Sequence, residues 1–239
     1  MASQDHYTLH MFPFSLYSIM ARFTHQLGKA SLPQNAQPTD RFHLDLKLVN
    51  LHRNGNISEE YLTNINPNGQ VPSMTGDKLP SPLTDSLDIS YHICQYYPHL
   101  LPSPHERLIR RTLTQLHDIQ ALPLSVSAED RGHTIPCEAV DELLSKSDIS
   151  SEYRAALEFK KEFHQEHTEN ALSLENVDLA ETKTHELCRT LLEIYQNEGN
   201  NGNWLLSAPT VLDAHVVAFL GRLLDMQRRD LIPDALRDW

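Results

Sequence analysis

The chain has 239 residues, of which 40% are hydrophobic and 7% aromatic. This length suits one large domain or two small ones, and this composition can fill a hydrophobic core. The formal net charge of −12 argues against nucleic acid or an anionic membrane surface as a partner, because no basic run balances it. No apolar run reaches the roughly 18 residues that would span a membrane. The first residues resemble neither a signal peptide nor a transit peptide, so we expect a cytoplasmic protein.

The cysteines and histidines form no recognisable redox or metal motif. Cys94, Cys137 and Cys188 lie far apart without a C-x-x-C spacing, which predicts reduced thiols. His164 and His167 have a spacing that would place both on one face of a helix. Because no third ligand is evident nearby, and glutamates flank the pair as on a solvated helix face, no metal site is predicted.

The first part of the chain mixes strand and helix patterns. Residues 15–27 carry apolar side chains at four-residue steps, as in a helix, and residues 42–51 alternate as in a half-buried strand. Pro80 and Pro82 suggest that the strand predicted over 78–83 is an edge or irregular one. In chain order we predict strands over 7–12, 42–51, 71–74 and 78–83, and helices over 15–27, 58–62 and 86–97.

Beyond a proline-rich linker the strand patterns stop. Residues 98–104 contain three prolines, and helices are predicted over 105–121, 151–167, 178–195 and 211–226. Thr210 and Asp213 have the spacing of a capping box at the start of the last of these helices. The predicted fold is therefore α/β plus all-α, with an α/β domain over 1–97, a linker over 98–104 and a helical domain over 105–239.

The most informative motif is a turn before Val71-Pro72, followed by Asp85-Ser86. A peptide bond before proline is the one most often cis, and the turn before Val71 and the strand after it lead us to predict a cis bond between Val71 and Pro72. A cis form would turn the backbone of Val71 outward, where it can pair with a peptide. Asp85 and Ser86 open a predicted helix and offer a carboxylate, a hydroxyl and free backbone N–H groups. Together these residues predict a site for a small zwitterionic peptide.

This arrangement resembles that of the glutathione transferases, which join a thioredoxin-like N-terminal domain to a C-terminal helical bundle. The Thr210–Asp213 box resembles one in the helical domain of that family. The resemblance implies glutathione as co-substrate, no metal, a homodimer, and addition of the glutathione thiolate to an electrophilic, largely apolar small molecule. The segment 11–18, Met-Phe-Pro-Phe-Ser-Leu-Tyr-Ser, looks most like transferase-like enzymes of fungal natural-product pathways.

Two other functions remain open at the level of sequence. A glutathione-dependent isomerase would use the same thiolate to add reversibly to a conjugated double bond and allow cis-trans rotation. A glutathione-binding or scaffold protein would carry out no turnover. Product analysis separates the first two functions, because a transferase leaves a stable adduct and an isomerase returns glutathione unchanged.

The resemblance also implies which residues form the site. A free thiol is only a few per cent ionised at neutral pH, so a hydroxyl beside a helix N-terminus would activate it. Ser15 falls where serine-using members of the family carry the catalytic serine, upstream of an arginine that Arg22 matches; Ser18 and Tyr17 are the alternatives. Glutathione-binding roles would then fall to the backbone of Val71 for the cysteinyl part, to Gln70 and Pro72 beside it, to Asp85 and Ser86 for the γ-glutamyl group, and to Asn56 for the glycyl carboxylate.

Overall fold

A mixed sheet lies in the first part of the chain. In the computed structural model, which describes residues 4–32, 42–198 and 203–237, the sheet has three strands in the order β2-β1-β3. The strands are β1 (Asp5–Met11), β2 (Phe42–Leu48) and β3 (Ser73–Gly76). Strand β1 pairs in parallel with β2 and antiparallel with β3.

Helices account for most of the remaining described residues. A mixed sheet followed by helices confirms the predicted α/β plus all-α fold. No helix in the described part of the chain is long and apolar enough to cross a bilayer. The helices are α1 (Leu16–Ala30), α2 (Glu59–Asn64), α3 (Ser86–Tyr96), α4 (Glu106–His117), α5 (Glu138–Leu144), α6 (Ser151–His167), α7 (Leu174–Glu198), α8 (Val211–Asp225) and α9 (Asp234–Arg237).

Three strand predictions are corrected, and in one of them the third strand covers Ser73–Gly76 instead of 71–74. Residues 78–83 form no strand: Leu83 makes only an isolated bridge with Met74, because Pro80 and Pro82 have no N–H to donate to a ladder. Strand β2 ends at Leu48 and is an edge strand that pairs with β1 alone. Its Leu46 and Leu48 side chains are 51% and 59% exposed, so the apolar alternation did not predict burial there.

The first of two compact units spans residues 1–19, 39–89 and 134–171. It holds the sheet together with α2, α5 and α6, and α6 packs on both of the other helices. Ser150 caps α6 by accepting a hydrogen bond from the Tyr153 amide at 3.0 Å, and the Tyr153 hydroxyl donates to the Ile57 carbonyl at 2.6 Å. The apolar cluster between these helices contains Ile57, Leu62, Val140, Tyr153 and Leu157.

The second unit spans residues 20–38, 90–133 and 172–239, and in it α4 packs on α7 and α8. The predicted capping box is present at the start of α8. The Thr210 amide donates to Asp213 Oδ2 at 2.8 Å, and the Leu205 amide donates to Asp213 Oδ1 at 2.9 Å. Burial raises the pKa of the Asp213 carboxyl. The predicted division of the chain at residues 98–104 stays a prediction.

Three polar side chains form a row of hydrogen bonds within the second unit. His215 is fully buried, with Nδ1 2.9 Å from His117 Nε2 and Nε2 2.9 Å from Ser90 Oγ. Burial, and then the neighbouring His117, lower the pKa of His215 well below its ordinary value. The neutral imidazole is therefore the form that the fold accommodates.

Candidate functional site

Ser15 lies where the first strand passes into the first helix. Its amide donates to the Phe12 carbonyl at 3.0 Å, and its Oγ accepts from the Ser18 amide at 3.3 Å, which makes it the N-cap of α1. The same hydroxyl donates to the Val71 carbonyl at 3.4 Å. The structure thus brings together Ser15 and Val71, which are 56 residues apart in sequence.

The two alternative hydroxyls lie in different surroundings. Ser18 is fully buried, and its Oγ accepts from the Phe12 amide at 3.3 Å, which fastens the turn between β1 and α1. Tyr17 is half-buried. Ser15 is also half-buried, so its hydroxyl can meet a ligand at the helix N-terminus, whereas that of Ser18 cannot without a rearrangement of the turn.

The loop of residues 66–72 presents Val71 to the end of β1. It turns at Gly69, whose φ of +59° is in the left-handed region that favours glycine, and the Gly69 amide donates to the Asn66 carbonyl at 2.9 Å. The buried Asn66 side chain donates to the Gln70 carbonyl at 3.0 Å. The bond between Val71 and Pro72 is cis, as predicted.

Three further side chains fix this loop from outside. The Asn56 amide donates to the Gly69 carbonyl at 2.7 Å, and the Tyr61 hydroxyl donates to the Gln70 carbonyl at 2.7 Å. Lys160, on α6, donates from Nζ to the Asn68 carbonyl at 2.6 Å. Burial raises the pKa of Tyr61 to about 12 and lowers the pKa of Lys160. The Tyr61 hydroxyl therefore keeps its proton, and both groups donate hydrogen bonds that hold backbone carbonyls.

Sequence reasoning missed two of these three supports. It predicted that Asn56 binds the ligand, whereas the contact that the structure shows for its amide is with the loop. For Tyr61 the sequence indicates only an inward-facing position on a helix. For Lys160 it indicates no contact with the loop, because Lys160 lies 92 residues from the carbonyl that it binds.

Asp85 and Ser86 begin α3 as predicted. Asp85 Oδ1 accepts from the Leu87 amide at 2.7 Å and from the Asp88 amide at 3.1 Å, so the carboxylate caps the helix. Asp85 is exposed and Ser86 is buried. A capping carboxylate still has a second oxygen, which can accept hydrogen bonds from a ligand's amine.

The strand register brings the predicted ligand-binding residues to one end of the sheet. In the antiparallel pair, His10 near the end of β1 lies opposite Ser73, so Val71 and Pro72 enter β3 beside the turn that leads to Ser15. The bridge between Met74 and Leu83 returns the chain towards the same end, and α3 starts three residues later.

His164 Nε2 lies 2.7 Å from the Ile135 carbonyl, so this nitrogen already has a backbone partner. The three cysteines are free thiols. Burial raises the pKa of Cys94 to about 12 and that of Cys188 to about 11, which disfavours the nucleophilic thiolate.

Comparisons with known proteins identify the fold. No protein-family profile matches the chain, and no curated protein matches it in sequence. A beta-etherase from Sphingobium sp. is similar in structure, with 14% identity, a TM-score of 0.58, and 97% of each chain covered. A glutathione transferase family member from Pseudomonas fluorescens, crystallised with two glutathione molecules, is 13% identical with a TM-score of 0.56, covering 94% of this chain and 80% of that one.

A third structure shares the fold to a similar degree. A glutathione transferase from Phanerochaete chrysosporium, crystallised with oxidized glutathione, is 11% identical with a TM-score of 0.55. The match covers 98% of this chain and 83% of that one. The chain therefore has the fold of the glutathione transferases, with a thioredoxin-like N-terminal part and a helical C-terminal part.

Proposed function

We propose that this protein is a glutathione transferase that activates the glutathione thiol at Ser15. The observation that carries the proposal is the position of the Ser15 hydroxyl at the N-terminus of α1, 3.4 Å from the Val71 carbonyl. Similar structures that were crystallised with glutathione support the choice of co-substrate.

Glutathione would bind along the end of the sheet. The backbone of Val71 would pair with the cysteinyl part, as an added strand pairs with a sheet edge, with Gln70 and Pro72 beside it. Asp85 would accept from the γ-glutamyl amine, and the N-terminus of α3 with Ser86 would receive the γ-glutamyl carboxylate. Asn56 would face the glycyl carboxylate. Its side-chain amide has two hydrogens, and the one that is not donated to the Gly69 carbonyl could bind that carboxylate.

Ser15 can change its hydrogen-bond acceptor at little cost. An O–H···O distance of 3.4 Å is longer than that of a strong hydrogen bond, so the present bond to Val71 is weak. When a cysteinyl N–H takes the Val71 carbonyl, the Ser15 hydroxyl is free to donate to the sulfur. A hydroxyl donor and the dipole of α1 both favour the thiolate, and each pKa unit that they lower corresponds to about 1.4 kcal/mol.

The thiolate would then attack an electrophilic, largely apolar small molecule. We place that molecule among the intermediates of secondary metabolism, which rests on the resemblance of segment 11–18 alone. We also propose that the protein is cytoplasmic and that it forms a homodimer. Light scattering at micromolar concentration would test the homodimer. Product analysis decides the outcome of thiolate attack: a glutathione adduct supports the proposal, and an isomer formed with glutathione unchanged contradicts it in favour of an isomerase.

The decisive experiment measures the ultraviolet absorbance of the bound thiolate against pH. Ser15→Ala should raise the midpoint and slow turnover by about 10- to 1000-fold, the range expected for loss of one stabilising donor. Tyr17→Phe should leave both the midpoint and the rate close to wild type. If Ser15→Ala keeps the wild-type midpoint while Tyr17→Phe or Ser18→Ala shifts it, the role belongs to that other hydroxyl. A wild-type protein that binds glutathione without any turnover would point to a binding protein instead.

A further inference from the structure

Two histidines and an aspartate come together at the beginning of the paired strands β1 and β2. His6 lies directly opposite His43 in the parallel register, and Asp45 is two residues further along β2. Because side chains on a strand alternate between its two faces, His43 and Asp45 share a face with His6. One ligand atom from each of the three residues lies within 4.8 Å of the other two.

The distances within this cluster are close to those of a metal site. His43 Nε2 and Asp45 Oδ1 are 3.0 Å apart, and the rings of His6 and His43 have centroids 5.0 Å apart with an interplanar angle of 50°. Around a tetrahedral zinc ion with bonds near 2.0–2.2 Å, neighbouring ligand atoms are separated by about 3.4 Å. The His6 ligand atom lies within 4.8 Å of the other two, so it would have to approach each of them by at most about 1.4 Å to reach that separation.

The chemistry of the donors selects the class of metal. Imidazole nitrogens favour zinc, copper and nickel, whereas calcium and magnesium favour oxygen-only sites. The side chains of His43 and Asp45 are 44% and 66% exposed, so an ion can reach them from solvent and water can complete its coordination. Such a site would exchange its metal readily.

We propose that His6, His43 and Asp45 form a surface site for a divalent transition-metal ion of the zinc type. The site lies at the start of β1, whereas Ser15 follows the end of that strand, so it does not depend on the proposed glutathione chemistry. If the cluster were only an ion pair between His43 and Asp45, it would bind no metal.

Zinc titration of the 239-residue chain, stripped of metal by a chelator, tests the site. Calorimetry near neutral pH should show an equivalent of Zn²⁺ that His6→Asn and His43→Asn each bind at least about 100-fold more weakly, since even a residue behind a metal ligand can be worth 10- to 100-fold. Asp45→Asn keeps an amide oxygen as a weaker ligand and should lose about 10-fold. His167→Asn is the matched control, because His167 is also exposed beside a carboxylate, with Nε2 3.7 Å from Glu166 Oε2.

A second measurement identifies the ligands directly. Electron paramagnetic resonance of the Cu²⁺ form should show coupling to two imidazole nitrogens in the wild type and to one in His6→Asn. Wild-type affinity in both His6→Asn and His43→Asn would overturn the proposal, as would an equal loss in His167→Asn. Because the three ligands belong to an exposed face, at least one of the variants should fold, and circular dichroism in chelator identifies which.

Discussion

Lys160→Met tests whether helix α6 supports the loop that presents Val71. The Lys160 ammonium donates to the Asn68 carbonyl at 2.6 Å, and its aliphatic stem lies against Gly69. Methionine keeps a flexible apolar stem of similar length and removes the donor, so the substitution isolates the hydrogen bond from the packing.

The expected magnitude follows from two opposing effects. A hydrogen bond to a charged group contributes about 1.5–3 kcal/mol. Burial of the ammonium costs part of this, which is why the Lys160 pKa is lowered. A net loss of about 1–2 kcal/mol is expected, and for a chain of this size each kcal/mol corresponds to about 2–4 °C in Tm, so the melting temperature should fall by about 2–8 °C.

Lys161→Met is the matched control for this change. Lys161 is adjacent in sequence but exposed, and it forms a surface ion pair with Asp141 at 2.6 Å, a kind of contact that contributes little to stability. Thermal unfolding by circular dichroism and calorimetry with glutathione should both separate the two variants, with weaker glutathione binding only in Lys160→Met. Equal melting temperatures and equal glutathione affinities for the two variants would refute the supporting role of Lys160.

Three further predictions concern the ligand site and the fold. Asp85→Asn keeps the helix cap but loses the charge, so calorimetry should show about 10- to 100-fold weaker glutathione binding; unchanged affinity would contradict the γ-glutamyl assignment. Asp213→Ala leaves the buried amides of Leu205 and Thr210 without an acceptor and should lower the free energy of unfolding by about 2–4 kcal/mol in urea titrations, whereas a loss below about 1 kcal/mol would argue against the capping box as a main support of α8. The folded-state pKa of His215 lies well below 6.5, so the unfolded chain takes up a proton that the folded one does not, and stability present above pH 6.5 is lost as the pH falls below it. The decline in Tm on acidification should be shallower in His215→Asn, and an identical slope would be evidence against this linkage.

Local sequence signals predicted the parts of the structure that depend on neighbouring residues. Helix α6 has the predicted bounds because the features that set them are local. Its cap, Ser150, directly precedes the helix, and its apolar spacing lies within it. The same holds for the capping box of α8 and for the cap of α3 at Asp85. The cis bond before Pro72 was predicted from the turn that precedes it.

Local sequence signals did not predict the features that depend on strand register or on contacts with helices distant in sequence. The His6–His43 pair forms only because β1 and β2 are parallel with that register; along the chain the two residues show no metal-ligand spacing. Lys160 reaches the loop because α6 packs on α2, a tertiary contact without a periodic signature. The exposure of Leu46 likewise reflects the position of β2 at the sheet edge rather than its alternating pattern.

Ser15 can serve both the fold and the proposed chemistry because its two tasks use different parts of one hydroxyl. Capping α1 uses an oxygen lone pair, which accepts from the Ser18 amide, while the hydroxyl proton is donated, at present to the Val71 carbonyl. Ser15→Ala removes both functions and should cost about 1 kcal/mol of stability as well as activity, whereas Ser15→Gly costs the cap only a few tenths of a kcal/mol. If thiol activation is a role of the hydroxyl itself, the two variants should lose the thiolate equally while they differ in stability. If Ser15→Ala, the less stable variant, instead loses more of the thiolate than Ser15→Gly does, then Ser15 acts on the sulfur only by holding the start of the helix in place.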